Sequence, residues 1–110
     1  MKPKLLTAYI KMSSGIIVDE GQIIWWERKG LLGSVPRTAK NRRDYTAKNA
    51  NLCMVVVVCK LLRWGLGDVE RLVKDKDRDL RDRFIDEVTV LIEKFMPKLK
   101  DIVVGLGEII

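Results

Sequence analysis

Residues 25–46 read WWERKGLLGSVPRTAKNRRDYT, and the folding of this stretch decides the folding of the chain. Two tryptophans lead into Glu27, Arg28, Lys29 and Gly30, and Pro36 opens a run carrying Arg37, Lys40, Arg42 and Arg43 before Tyr45 and Thr46. Just upstream, Asp19 suits an N-cap and Gln22 completes a capping-box-like pair, so a helix is expected to start there. Ile23 and Trp26, with Ile24 beside them, supply its buried face, while Trp25 stays nearer the surface. Lys29 suits the negative end of the helix dipole, and Gly30 offers the left-handed residue that stops it. Past Gly30 the helical pattern breaks. Residues 31–32 and 43–45 are expected to be the two ends of a short hairpin with Lys40, Asn41 and Arg42 at its tip. Thr46 then caps another helix.

Toward the N-terminus, Leu5, Leu6, Tyr9 and Ile10 recur at helical spacing, and Ser13, Ser14 and Gly15 end that helix. Two short helices a few residues apart outline a helix-turn-helix, and the hairpin beside them is a wing. Toward the C-terminus, LCMVVVVCKLL at residues 52–62 is locally ambiguous. Four consecutive valines favour a strand, because β-branched side chains lose rotamer freedom in a helix. The Thr46 cap, Lys60 and Gly65 favour a helix running through Trp64 and stopped by Gly65, apolar nearly all round and so the most enclosed element. Asp68 is expected to cap a fourth helix that buries Val69, Leu72 and Val73. Leu80, Phe84, Val88, Leu91, Phe95 and Leu99 then form a stripe close to the helix period, flanked by the i,i+4 pairs Arg78–Asp82 and Asp79–Arg83, with Pro97 interrupting or kinking the helix. Such a stripe is commonly core within its own chain. Little chain remains here for so long a helix to pack on, which adds pairing with a second copy as the alternative to core.

Charge and composition narrow the function. The chain has 110 residues, room for one modest core, and is 47% hydrophobic, a globular rather than disordered composition. Its net charge of +6 is uneven: residues 1–63 carry twelve Lys/Arg against four Asp/Glu, and the remainder nine against eleven. A basic N-terminal half suits a polyanionic partner, with a merely solvated basic surface as the alternative. The longest apolar run, residues 52–59, is far short of the roughly 20 residues of a membrane span, and no clean signal peptide follows Met1, so a cytoplasmic protein is expected. Cys53 and Cys59 point about 120° apart on a helix and cannot share a metal or form a local disulfide. With no histidine, a Cys/His zinc site within the chain, a Ser-His-Asp triad and a Cys-His pair are all excluded. No glycine-rich phosphate loop is present. An enzyme is not expected, and neither is a metal or other cofactor.

The ordered motifs resemble a known family. IIWWERKGLL looks like the end of the recognition helix in MerR-type transcriptional regulators, PRTAKNRRDYT resembles the wing that follows it, and LLRWGLGDVERLV is similar to the next helical segment. The likeness covers about residues 8–73 and is most specific over residues 23–46. Ile24 stands where the family usually carries arginine, and Asp44 where it usually carries an apolar residue. The resemblance implies a mainly α fold, with a winged helix-turn-helix over residues 1–75 and a dimerisation helix with an apolar tail over residues 76–110. It further implies a homodimer joined by long antiparallel helices through Leu80, Phe84, Val88, Leu91, Phe95 and Leu99. Such a dimer binds a palindromic promoter in double-stranded DNA and distorts it so that RNA polymerase engages.

On that footing the helix beginning at Asp19 enters the major groove and Gln22 faces a base edge, with pure capping as its alternative. Trp25, with a wholly structural role as its alternative, Arg28 and Lys29 meet phosphates, Arg37, Lys40, Arg42 and Arg43 neutralise more of them from the wing, and Tyr45 closes the interface. Two other readings fit the same residues: an excisionase-like or architectural DNA-binding factor, and a protein-interaction module whose basic face only confers solubility.

Overall fold

The computed structural model describes residues 1–95 and Glu108, and among them the chain is mainly helical: α1 (Pro3–Ser14), α2 (Glu20–Arg28), α3 (Ala47–Leu61), α4 (Leu66–Val73) and α5 (Arg78–Phe95). Two compact units divide the chain, Met1–Met54 and Val55–Ile110, with the boundary inside α3.

In the first unit α1 packs against α2. Pro3 sits where a helix has no use for the missing N–H, and Gly15 ends α1 at φ 75, donating to the Lys11 carbonyl at 2.8 Å. Leu6 and Ile10, one turn apart, are fully buried, whereas Leu5 and Tyr9 face out. At the start of α2 both halves of the capping box form: Gln22 N–H donates to Asp19 Oδ1 at 2.8 Å, and Asp19 N–H to Gln22 Oε1 at 3.2 Å. The helix ends in a Schellman motif, with Leu31 N–H to the Trp26 carbonyl, Gly30 N–H to the Glu27 carbonyl, and Gly30 at φ 78. Leu31 and Leu32 are buried in the turn that follows.

The hairpin is shorter than expected. Its single bridge joins Arg37 and Arg43 antiparallel, so its first arm is formed around Pro36 and Arg37 and not by Leu31 and Leu32. Those leucines were drawn into the core by the Schellman turn instead. Thr38 N–H donates to the Arg42 carbonyl and Asn41 N–H to the Thr38 carbonyl, each at 2.8 Å, with Asn41 at φ 58 completing the tip. Asn tolerates that left-handed conformation better than most residues.

The valine run is helical. Thr46 Oγ1 accepts from Asn49 N–H at 3.1 Å, capping α3, and residues 52–57 together with Cys59 are buried. The stop differs from expectation. A second Schellman motif, Trp64 N–H to the Cys59 carbonyl and Arg63 N–H to the Lys60 carbonyl, ends α3 at Leu61 with Arg63 as the left-handed residue at φ 61. Gly65 is instead the N-cap of α4, and Asp68 lies in its first turn rather than capping it. Burial of the Trp64 ring explains the early stop. In this second unit Phe84 meets that ring edge-on at 6.0 Å, the Arg83 guanidinium lies over it at 4.6 Å, and Trp64 Nε1 donates to Glu87 Oε2 at 3.0 Å.

α4 packs against α5 and buries Val69, Leu72 and Val73. Asp77 caps α5, its Oδ1 accepting from the N–H groups of Asp79 and Leu80, while its Oδ2 accepts from Arg71 Nη2 at 2.7 Å. The Leu80 N–H bond, then the Arg71 guanidinium, hold the Asp77 carboxyl below its usual range. Arg83 bonds Glu87 rather than Asp79. Of the apolar stripe, Leu80, Phe84 and Val88 lie in the chain's own core, whereas Leu91 is 37% exposed. Leu99 and Pro97 lie outside the described residues, as does the side chain of Phe95.

Two residues that share one backbone constraint give substitutions of opposite sign. An added Cβ at Gly15 meets nothing within 4 Å, so Gly15→Ala adds only left-handed strain and should cost about 1 kcal/mol. Arg63→Gly removes the same strain and should stabilise by about 0.5–1 kcal/mol after glycine's entropy cost. Urea denaturation of both variants measures the pair.

Candidate nucleic-acid interface

The first unit holds the basic residues singled out in the sequence and all of the chain's excess charge: residues 1–54 carry ten Lys/Arg against four Asp/Glu, and residues 55–110 eleven against eleven. Trp25, Arg28, Lys29, Arg37, Lys40 and Arg42 are exposed, Gln22 and Arg43 are half-buried, and Tyr45 is buried. On α2 the capping box, buried Trp26 and the Schellman stop together turn Trp25 outward, 46% exposed, with Lys29 Nζ 5.3 Å from its ring centroid. Gln22 uses its side-chain oxygen in the cap, and its NH₂ group makes no hydrogen bond among the described residues.

The connection between helix and hairpin is an ion pair that the sequence reading missed. Arg43 Nε donates to both oxygens of Glu27, at 2.8 and 3.1 Å, and Arg37 Nη2 stands 3.9 Å from the same carboxylate. The Glu27 side chain is only 11% exposed. This hydrogen bond, opposed by desolvation, raises the Arg43 pKa above its already high ordinary value. Arg43 is thus a clasp between α2 and the hairpin, and Arg37 leans on the same carboxylate. Lys40 and Arg42 at the tip keep their charge in solvent. Nothing in the local sequence marks Glu27, because its partner is 16 residues away.

Tyr45 does not belong to the surface. It is 2% exposed, its hydroxyl is buried with no hydrogen-bond partner, and burial followed by the Glu27 charge pushes its pKa up to about 12. Its aromatic ring completes the core beneath the hairpin base, which explains why a residue expected at the interface turns inward. Asn49 was also missed. Its amide donates to the carbonyls of Leu32 at 2.6 Å and Ser34 at 3.0 Å, and it accepts from Thr46 N–H and Oγ1 at 2.8 and 2.9 Å. The Thr-x-x-Asn spacing after the basic run is the signal that locates it, a capping box with an amide in the usual Glu/Gln position.

Among the described residues no group of His, Cys, Asp and Glu is arranged to hold a metal ion, and no helix is long and apolar enough to cross a membrane. Cys53 and Cys59 are buried, which pushes each thiol up to about 12. No protein-family model, curated protein or solved structure matches the chain.

Breaking the clasp should cost much more than trimming the tip. Arg43→Ala strands a mostly buried carboxylate and should lower stability by about 1–3 kcal/mol, while Arg42→Ala should change it by less than about 0.5 kcal/mol. Paired urea titrations decide it.

The Tyr45 hydroxyl gives a pH signature. Its folded pKa lies above the unfolded value of 10.0, so the stability it contributes is whole below about pH 10 and is lost as pH rises toward 12. Tyr45→Phe should leave stability at pH 7 unchanged or slightly higher, because no hydrogen bond is lost. It should also remove part of the alkaline decline, with Cys53 and Cys59, whose thiols are each raised from 9.0 to about 12, contributing to what remains. Denaturation midpoints measured from pH 7 to pH 12 test both statements.

Proposed function

We propose that this chain is a DNA-binding protein of the winged helix-turn-helix kind and acts as a transcriptional regulator, not as an enzyme. One observation carries the reading: the outward edge of α2 (Trp25, Arg28 and Lys29) and the hairpin tip (Lys40 and Arg42) are exposed and belong to elements joined by the Glu27–Arg43 clasp. A rigid helix beside a basic hairpin suits a duplex, the helix entering the major groove while the cations meet phosphates. Gln22 can then donate its free NH₂ to an acceptor on a base edge. The resemblance to MerR-type regulators adds the biological setting: a cytoplasmic homodimer on a palindromic promoter that RNA polymerase also uses. Pairing of two copies falls to the part of α5 beyond Val88, where Val90 and Leu91 are 63% and 37% exposed.

Selection of bound sites from random duplex DNA at two salt concentrations tests this directly. A recovered palindrome is the expected result. Arg28→Ala, Lys40→Ala and Arg42→Ala should each weaken binding about evenly across sequences and reduce the salt slope by about one. Tight binding that ignores both salt and these substitutions would sink the reading. A failure to bind any duplex would shift the case to a protein-interaction module, with exposed Leu5, Tyr9 and Met12 on α1 as the face to examine.

A further inference from the structure

Next to the hairpin, the first unit contains an open cleft of about 600 Å³ that the contacts above leave unused. Lys2 and Lys4 reach it from the start of α1, Arg37 and Arg42 from the hairpin, and Glu20 and Asp44 also line it. The main chain holds these parts in register, since Tyr45 N–H donates to the Met1 carbonyl at 2.7 Å. Asp44 is engaged by the Met1 amino group. Lys2, Lys4 and Arg42 are exposed and make no ion pair among the described residues, and neither does Glu20.

Like charges gathered on one concave surface repel each other, and an anion entering the cleft relieves that cost. We infer that the cleft receives the phosphodiester backbone of bound DNA, with Lys2 and Lys4 supplying phosphate contacts that continue those of the hairpin. This rests on the DNA-binding reading and extends its footprint to α1. An extended polyanion fits better than a small phosphate compound. The cations are exposed on an open surface, and lysines act as flexible point charges rather than as an enclosing fork of donors. Glu20 opposes the same phosphates and limits their affinity.

Fluorescence anisotropy of the full chain with a labelled mixed-sequence duplex of about 30 base pairs, across a salt series, tests the assignment. The double variant Lys2→Ala/Lys4→Ala should reduce the salt slope by about two and weaken binding roughly tenfold or more at about 0.1 M salt. Lys74→Ala/Lys76→Ala, an equal charge change in the second unit, should have little effect. Glu20→Gln should tighten binding by roughly two- to fivefold, a gain that damage to the fold cannot mimic. If the Lys2/Lys4 variant matches the Lys74/Lys76 control while Arg42→Ala still weakens binding, the cleft assignment fails and the DNA reading stands. If the unaltered chain binds no duplex, both fail. In a parallel arm, inorganic phosphate that saturates the chain through Lys2 and Lys4, without any change in their duplex salt slope, would assign the cleft to free phosphate and overturn the inference.

Discussion

The side-chain amide of Asn49 determines where the chain can go after α2. It is 2% exposed, and an amide buried without partners would cost several times what a single hydrogen bond contributes. Here both of its N–H donors and its oxygen are used, toward Leu32, Ser34 and Thr46. Those bonds pin one end of the intervening segment at Ser34 and the other at Thr46. The residues between them have no helical route across so short a gap, and they leave and return as a hairpin. The projection of the basic tip is therefore a consequence of a buried polar contact at its base. The bond to the Leu32 carbonyl adds to the Schellman turn at Leu31 in keeping these two leucines out of the hairpin arm.

A second constraint divides labour among neighbouring arginines. Along an extended arm successive side chains point to opposite faces, so Arg42 and Arg43 cannot play the same part. Arg43 turns toward Glu27 and makes a charge-assisted pair with both carboxylate oxygens. Arg42 remains in solvent, where it costs little to keep and is free to meet an anion. Arg37, bridged to Arg43 across the hairpin, stands near the same carboxylate. Glu27 thus holds the hairpin base without neutralising its tip. The charge count alone treats all four hairpin cations alike; the pleat separates them.

Features governed by residues within one helical turn were legible in the sequence. The Asp19–Gln22 box, the stops at Gly15 and Gly30, the Thr46 cap and the split between exposed Trp25 and buried Trp26 follow from spacing and side-chain chemistry, and the structure shows each of them. What was not legible depends on partners distant in sequence. Tyr45 reads as a surface residue because it borders a basic run, yet the core takes its ring. Arg63 occupies a position that favours glycine, because buried Trp64 fixes the last turn of α3 and the chain accepts the backbone cost. With Gly65 only two residues away, the local pattern pointed to the wrong residue. Glu27 shows the same limit for the candidate site: its role is set by the arginine that folds back on it.

Trp64 also bears on α5. Phe84 lies against its ring, and Arg83 and Glu87 bracket it through a cation–π contact and a shared carboxylate oxygen. Leu80 and Val88, one turn before and one turn after Phe84, are buried with it. An apolar side chain already packed against its own unit has no further area to remove from water, so it adds nothing to association with a second copy. Helical periodicity reveals that a stripe is apolar but not what covers it. Beyond Val88 the pattern changes, and Val90 and Leu91 reach solvent. Among the described residues the stripe is therefore two surfaces in succession, a core face through Val88 that anchors α5 and an exposed apolar position at Leu91.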